Sequence, residues 1–316
     1  MKKEGKSTER IEKFVAGELR RCGVMRLIIG VSGGADSSAL LLASVASGVE
    51  VTAVHCNYHL RGKESNRDAA AVAGLCEKLG VPLINIEFNV AEYRDSNPGI
   101  SVEMACRDMR YAEFRRLMAE TGADRIAVAH NSDDNIETML LNLFRGSGVT
   151  GLRGMLPDTG EIIRPLLSVS RKEIEEYLRE KGYSFVTDST NYETDYRRNY
   201  IRNILLPAVE SRWPGARKAM TTTIANLRSE EDVLKEAERR FLPQTDLLPM
   251  KAIAEAPDRF WIIRSFSKRY GATRDIALEI LDVFEKRSGT QHIIGKKWKA
   301  GRGMLRFSKK GLEYFC

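Results

Sequence analysis

The sequence predicts an α/β fold, a Rossmann-like parallel sheet with helices on both faces, plus a smaller, mainly helical C-terminal domain. Three observations predict it. Short apolar runs of strand length alternate with amphipathic helical segments up to residue 181, the pattern of successive parallel crossovers. The first run passes through a glycine turn straight into a helix, residues 27–38 reading LIIGVSGGADSS; bare backbone at a helix N-terminus is a phosphate-sized anion site. Beyond Pro207 and Pro214 the alternation stops and long charged helical periods take over, so a catalytic domain over residues 1–207 and a second domain over 208–316 are expected.

Composition narrows the class. At 316 residues there is room for two domains. No apolar run approaches the roughly 20 residues of a membrane span, and MKKEGKSTER leads into a charged segment, so a cytoplasmic protein with no membrane partner is expected. Cys22, Cys56, Cys76, Cys106 and Cys316 show no C-x-x-C spacing, which points to reduced thiols rather than a zinc site or a disulfide framework. The net charge of +7 is unevenly placed: residues 286–312 hold nine Lys or Arg and no acid, and residues 196–218 hold six against Glu210 alone, with Tyr196, Tyr200 and Trp213 interleaved. Positive charge with stackable rings suits RNA.

Taken in order, residues 8–21 carry Ile11, Phe14, Val15 and Leu19 at helical spacing, an amphipathic helix ahead of the sheet. Residues 27–31 are the first strand. After it, Gly33 and Gly34 let an anion approach the main chain, while Ser32, Ser37 and Ser38 add hydroxyls near the positive end of the helix that runs to Ala46. No Gly-Lys-Ser/Thr follows, so this is not a Walker loop. A strand at 49–56, a helix at 65–80 and a strand at 81–88 come next, placing His55, Asn57, His59 and Arg61 at the strand ends. The polar stretch 89–100 is expected to be a loop. Ser101 should cap the following helix, on which Arg107, Arg110 and Tyr111 lie near one another. Residues 125–129 are the fourth strand, ending in HNSDDNIET, 130–138, where Asp133, Asp134 and Glu137 converge. Like charges so placed call for a cation, Mg²⁺ or an ammonium group. Ser170 and Glu173 should form a capping box on a helix at 170–181. Helices at 216–241, 257–270 and 273–286 and a hairpin at 292–307 complete the chain.

The hexapeptide Ser32-Gly33-Gly34-Ala35-Asp36-Ser37 resembles the pyrophosphate loop of the N-type ATP pyrophosphatases, the PP-loop superfamily, whose members split ATP between the α and β phosphates. Four further segments, 55–65, 129–138, 145–155 and 196–207, are similar to signatures of the tRNA(Ile)-lysidine synthetases, with Asn135 where that family usually has Gln. The resemblance covers about residues 26–207 and implies ATP and Mg²⁺ as cofactors, and free L-lysine and the CAU-anticodon tRNA(Ile) as partners. In that family O2 of the wobble cytidine attacks the α-phosphate, pyrophosphate leaves, and the lysine ε-amine displaces AMP from C2. Carried over residue by residue, it implies catalytic roles for Asp36, His130 and Arg202, with Asp36 also a Mg²⁺ ligand. It implies nucleotide binding by Ser32, Gly33, Gly34, Asp36, Ser37, Ser38, His55, Arg110 and Arg145, and lysine binding by Asp134, Glu137 and Arg107. RNA contact is expected from Arg197, Arg198 and Lys218, residues 208–316 being a helical tRNA-binding domain; a homodimer is compatible with the sequence. Three alternatives stay open: a tRNA thiolase of the same superfamily, for which the C-x-x-C pairs are missing, adenylation of a small molecule, and a non-catalytic RNA-binding protein.

Overall fold

The computed structural model describes residues 6–60, 62–185, 197–287 and 293–316; Arg61, Tyr196 and His292 lie outside the described residues. The chain runs α1 (Lys6–Arg21), β1 (Arg26–Gly30), α2 (Ala35–Ala46), β2 (Glu50–Asn57), α3 (Lys63–Leu79), β3 (Leu83–Glu87), α4 (Val90–Ser96), α5 (Val102–Thr121), β4 (Arg125–Ala127), α6 (Ser132–Phe144), α7 (Val149–Leu152), β5 (Ile162–Ile163) and α8 (Arg171–Glu180). All five strands are parallel, in the order β3-β2-β1-β4-β5.

Successive strand side chains point to opposite faces, and β1 shows the result. Leu27 and Ile29 join Val15 and Leu19 of α1, Leu40 and Leu41 of α2, Val72 of α3 and Ile174 of α8 in one buried cluster. Ile28 turns the other way, with Val54 and Ile126, to meet Tyr111, Phe114 and Leu117 of α5. Helices therefore cover both faces, as expected. Gly30 is where α5 comes closest: a Cβ there would lie 2.8 Å from the Phe114 ring.

Neither α4 nor β5 was expected from the sequence. The polar stretch expected to be a loop contains α4, started by Asn89, whose Oδ1 accepts from the Glu92 N–H at 3.2 Å. Strand β5 has two residues, too short for a periodicity to register.

After the undescribed residues come α9 (Arg197–Tyr200), a π turn at Ile201–Leu205, α10 (Leu206–Arg212) and α11 (Ala216–Phe241). Then follow β6 (Leu247–Pro249), α12 (Met250–Glu255), α13 (Arg259–Lys268), α14 (Arg274–Arg287), β7 (Lys297–Ala300), β8 (Gly303–Phe307) and β9 (Gly311–Phe315). The backbone packs as two units, Met1–Leu227 and Arg228–Cys316. The expected division after residue 207 falls inside the first, because Leu206 of α10 and Ile224 of α11 share a cluster with Ile136 and Leu140 of α6. The expected hairpin is present as β7 and β8, and it belongs to a larger four-stranded antiparallel sheet, β6-β9-β8-β7. Burial of Trp298, Leu305, Phe307 and Leu312 on one face recruits the extra strands. No helix among the described residues is long and apolar enough to cross a membrane.

Candidate functional site

The strand order reverses at β1, which has β2 on one side and β4 on the other. Ligands of open α/β sheets collect beyond the strand carboxyl ends at such a switch point. The segments leaving β1 and β4 wall a pocket of ≈ 250 Å³ there, lined by Ser32, Gly34, Asp36 and Ser37 from the first, His130 from the second, and Arg110 and Tyr111 from α5.

The first segment is wound around its own hydroxyls. Ser32 N–H donates to Ser37 Oγ at 3.1 Å, the Ser37 hydroxyl donates to the Gly34 carbonyl at 3.0 Å, and Gly34 N–H donates to Ser32 Oγ at 3.4 Å. Gly34 is the N-cap of α2 and no side chain caps that helix, so its first-turn N–H groups are left for an anion. Gly33 makes the turn at φ +86°, with the Asp68 carbonyl 3.4 Å from where a Cβ would stand. An L-residue in that region costs about 1–2 kcal/mol. Gly33→Ala is therefore expected to weaken ATP binding about tenfold in a calorimetric titration; unchanged affinity would show that the loop does not hold the nucleotide. Ser38 is buried behind the loop, its N–H bonded to the Gly34 carbonyl. His55 does not line the pocket: its Nδ1–H donates to the Val31 carbonyl at 2.8 Å, bracing the loop from behind.

Asp36 joins the loop to its surroundings, with Oδ1 accepting from Asn131 Nδ2 at 3.0 Å and Oδ2 from Arg171 Nη1 at 2.6 Å. Burial raises its pKa and Arg171 opposes that. Across the pocket, His130 Nδ1 lies 3.3 Å from Arg164 Nε. Burial, then Arg164, Arg198, Arg107 and Arg110, hold the His130 imidazole down at about 3, so it is neutral at physiological pH. Arg110 Nε and the Tyr111 hydroxyl are buried without a hydrogen-bond partner among the described residues. Two orphaned groups on residues lining one pocket fit a ligand that supplies acceptors.

Beyond the pocket, Asn131 and Asp134 form a capping box at the start of α6. Glu137 is fully buried; its Oε1 accepts from Arg202 Nε at 2.6 Å and its Oε2 from Arg198 Nε at 2.7 Å and Arg202 Nη2 at 3.0 Å. Arg202 Nη2 also reaches Asp134 Oδ1 at 3.0 Å. Asp133 accepts from the Arg171 backbone N–H at 2.8 Å and pairs with Arg217. The cations that quiet this acidic cluster are thus the chain's own guanidiniums, where Mg²⁺ or a substrate ammonium was expected; arginine's planar fork suits buried carboxylates better than a point charge.

Residues 4–209 match the family model described as the PP-loop domain. The chain belongs to the PP-loop family. Among its relatives, the tRNA(Ile)-lysidine synthase of Parabacteroides distasonis is 40% identical over 83% of this chain and 61% of its own length. That of Bacteroides thetaiotaomicron is 46% identical over 69% of this chain and 52% of its own length. The chain thus spans 52–61% of those two relatives. The solved structure of a U34-tRNA thiolase from Methanococcus maripaludis shares the fold, with a TM-score of 0.57 at 18% identity over 70% of this chain and 79% of that one.

Around the PP-loop, then, the structure gathers Ser32, Gly34, Asp36, Ser37, Arg110 and His130 at one pocket, and Asp134, Glu137, Arg198 and Arg202 in an adjoining ion-pair network. It does not gather the rest. Arg145 is exposed at the C-cap of α6, the far end of a 13-residue helix about 20 Å long. Arg107 is exposed with its guanidinium over the Tyr111 ring at 4.8 Å, and Arg197 and Lys218 are exposed. Arg198, expected on RNA, is committed to Glu137. Asn135 stands clear of the pocket and accepts from the Met155 N–H at 2.8 Å, fixing the turn after α7. Sequence reasoning passed over Asn131, Arg164, Arg171 and Arg217. Asn131 was readable from its N-cap spacing to Asp134; the three arginines had no local pattern, because their partners lie far away in sequence. Among the described residues no three His, Cys, Asp or Glu side chains group as a metal site.

Proposed function

We propose that this chain ligates L-lysine to C2 of the wobble cytidine in the CAU anticodon of tRNA(Ile), using ATP, through an adenylated cytidine. AMP and pyrophosphate leave, and the codon read changes from AUG to AUA. The observation that carries the reading is 40–46% identity to relatives named tRNA(Ile)-lysidine synthase, over 69–83% of this chain. A tRNA substrate implies a cytoplasmic enzyme.

In this reading the N–H groups of the α2 N-terminus and the hydroxyls of Ser32 and Ser37 hold the departing pyrophosphate. Arg110 Nε and the Tyr111 hydroxyl supply donors to the phosphate chain, in keeping with their lack of partners among the described residues. Asp36 fits as the single carboxylate that Mg²⁺ needs beside phosphate oxygens, and the ion would neutralise charge developing on pyrophosphate. Glu137 is saturated by two guanidiniums, so it orders Arg198 and Arg202, whereas Asp134, 15% exposed and itself paired with Arg202, is the more accessible carboxylate and the one that would meet the lysine ammonium. Arg107 would meet the lysine carboxylate, and Arg197 and Lys218 the RNA backbone.

The test is incubation with ATP, radiolabelled lysine and a CAU-anticodon tRNA(Ile) transcript. Label is expected in the RNA only when ATP is present, and not in a transcript whose wobble position is not cytidine. No lysine-dependent label would overturn the reading, and lysine adenylation without RNA would replace it with small-molecule activation.

A further inference from the structure

One buried arginine belongs to neither half of that mechanism. Arg164, just past β5, is 8% exposed and does not line the pocket, yet its guanidinium is fully oriented. Nη1 donates to the Leu156 carbonyl at 2.7 Å, and its backbone N–H donates to the Pro157 carbonyl at 2.8 Å. Nε lies 3.3 Å from His130 Nδ1. A guanidinium has donors and no acceptor, so the imidazole nitrogen that it meets must present a lone pair. In a neutral imidazole the other nitrogen then carries the proton.

We propose that Arg164 is a positioning residue that locks His130 as the Nε2–H tautomer, making it a neutral hydrogen-bond donor to the phosphate chain rather than a cation or a proton acceptor. The geometry is one-sided: His130 lines the pocket and Arg164 does not, so Nδ1 turns to the wall and the Nε2 edge is left to the ligand. A second proton on Nδ1 would face the guanidinium directly. The groups around the ring agree, since Arg107 and Arg110 of α5, Arg198 of α9 and Arg164 all disfavour the imidazolium. His55 provides an internal contrast. Its Nδ1 meets the Val31 carbonyl, which only accepts, so His55 holds the opposite tautomer with the proton on Nδ1. Two histidines of one fold are thus set oppositely by what their Nδ1 atoms face.

The inference rests on the proposed function only for the words "phosphate chain"; the tautomer is a property of the free protein. It is read from ¹⁵N-histidine NMR of the whole chain, the four histidines being assigned through His130→Gln and His55→Gln. His130 is expected to show a pyridine-type Nδ1 and a protonated Nε2 from pH 6 to 8, and His55 a protonated Nδ1. Protonated Nδ1 at His130 would overturn the proposal whatever the enzyme's substrate proves to be. Arg164→Gln keeps a neutral donor and should preserve the His130 pattern, while Arg164→Met should release it into tautomer exchange; a pattern unmoved by Met also contradicts the assignment. In lysine transfer, a glutamine amide reaches the place of Nε2 and an asparagine amide only that of Nδ1. His130→Gln should therefore retain at least tenfold more kcat than His130→Asn, which should lose about 100-fold as a missing donor does. Equal losses would assign His130 an acid or base role instead. If the tautomers are as stated and no lysine is transferred to any tRNA, the function is wrong and this inference stands.

Discussion

Asp36→Ala is expected to lower kcat/KM for ATP-dependent lysine transfer by more than ~100-fold, the scale of a lost transition-state contact. Asp36 combines two jobs that alanine removes together. Its carboxylate lines the pocket beside the PP-loop, and it ties α2 to Asn131 at the start of α6 and to Arg171 of α8. Asp36→Asn separates the jobs: an amide keeps the size and one acceptor but not the charge. The asparagine variant should melt close to the parent and still lose most of its activity, with the Mg²⁺ requirement shifted to higher concentration. Activity of either variant within about threefold of the parent would remove Asp36 from the chemistry.

Glu137→Ala should be the most destabilising single change in the site. The carboxylate is fully buried and accepts from Arg198 and Arg202, whose side chains are 39% and 36% exposed. Deleting one member of a buried ion pair costs about 3–5 kcal/mol because its partner is left uncompensated. Partial exposure of the arginines lowers that to roughly 2–4 kcal/mol, and the transition should fall by about 5–10 °C on that account. Adding Arg202→Met to the alanine variant should recover part of the loss, as a double-mutant cycle reads directly. A shift under about 2 °C would mean that the network contributes little to folding.

The sheet was legible because β1 to β4 lie in apolar-rich runs bounded by turn residues, and the PP-loop was legible because six contiguous residues carry its chemistry. The acidic cluster was half legible. Helical spacing brought Asp133, Asp134 and Glu137 together, but nothing local said that Arg198, Arg202 and Arg217 would neutralise them, since those cations arrive from segments more than sixty positions away. His55 shows the same limit: the residue type suggested a ligand contact, and only the fold shows its ring turned against the Val31 carbonyl. Arg145 shows a further limit: it belongs to a run that resembles the family's, and the fold sets it at the C-cap of α6, away from the residues that line the pocket.

On the proposed function, one site splits ATP at the α-phosphate and adenylates a tRNA base. With α-labelled ATP, lysine and the CAU transcript, each lysine incorporated should be matched by one labelled AMP and one pyrophosphate. ADP as the labelled product, or AMP formed at the same rate without RNA, would contradict the account.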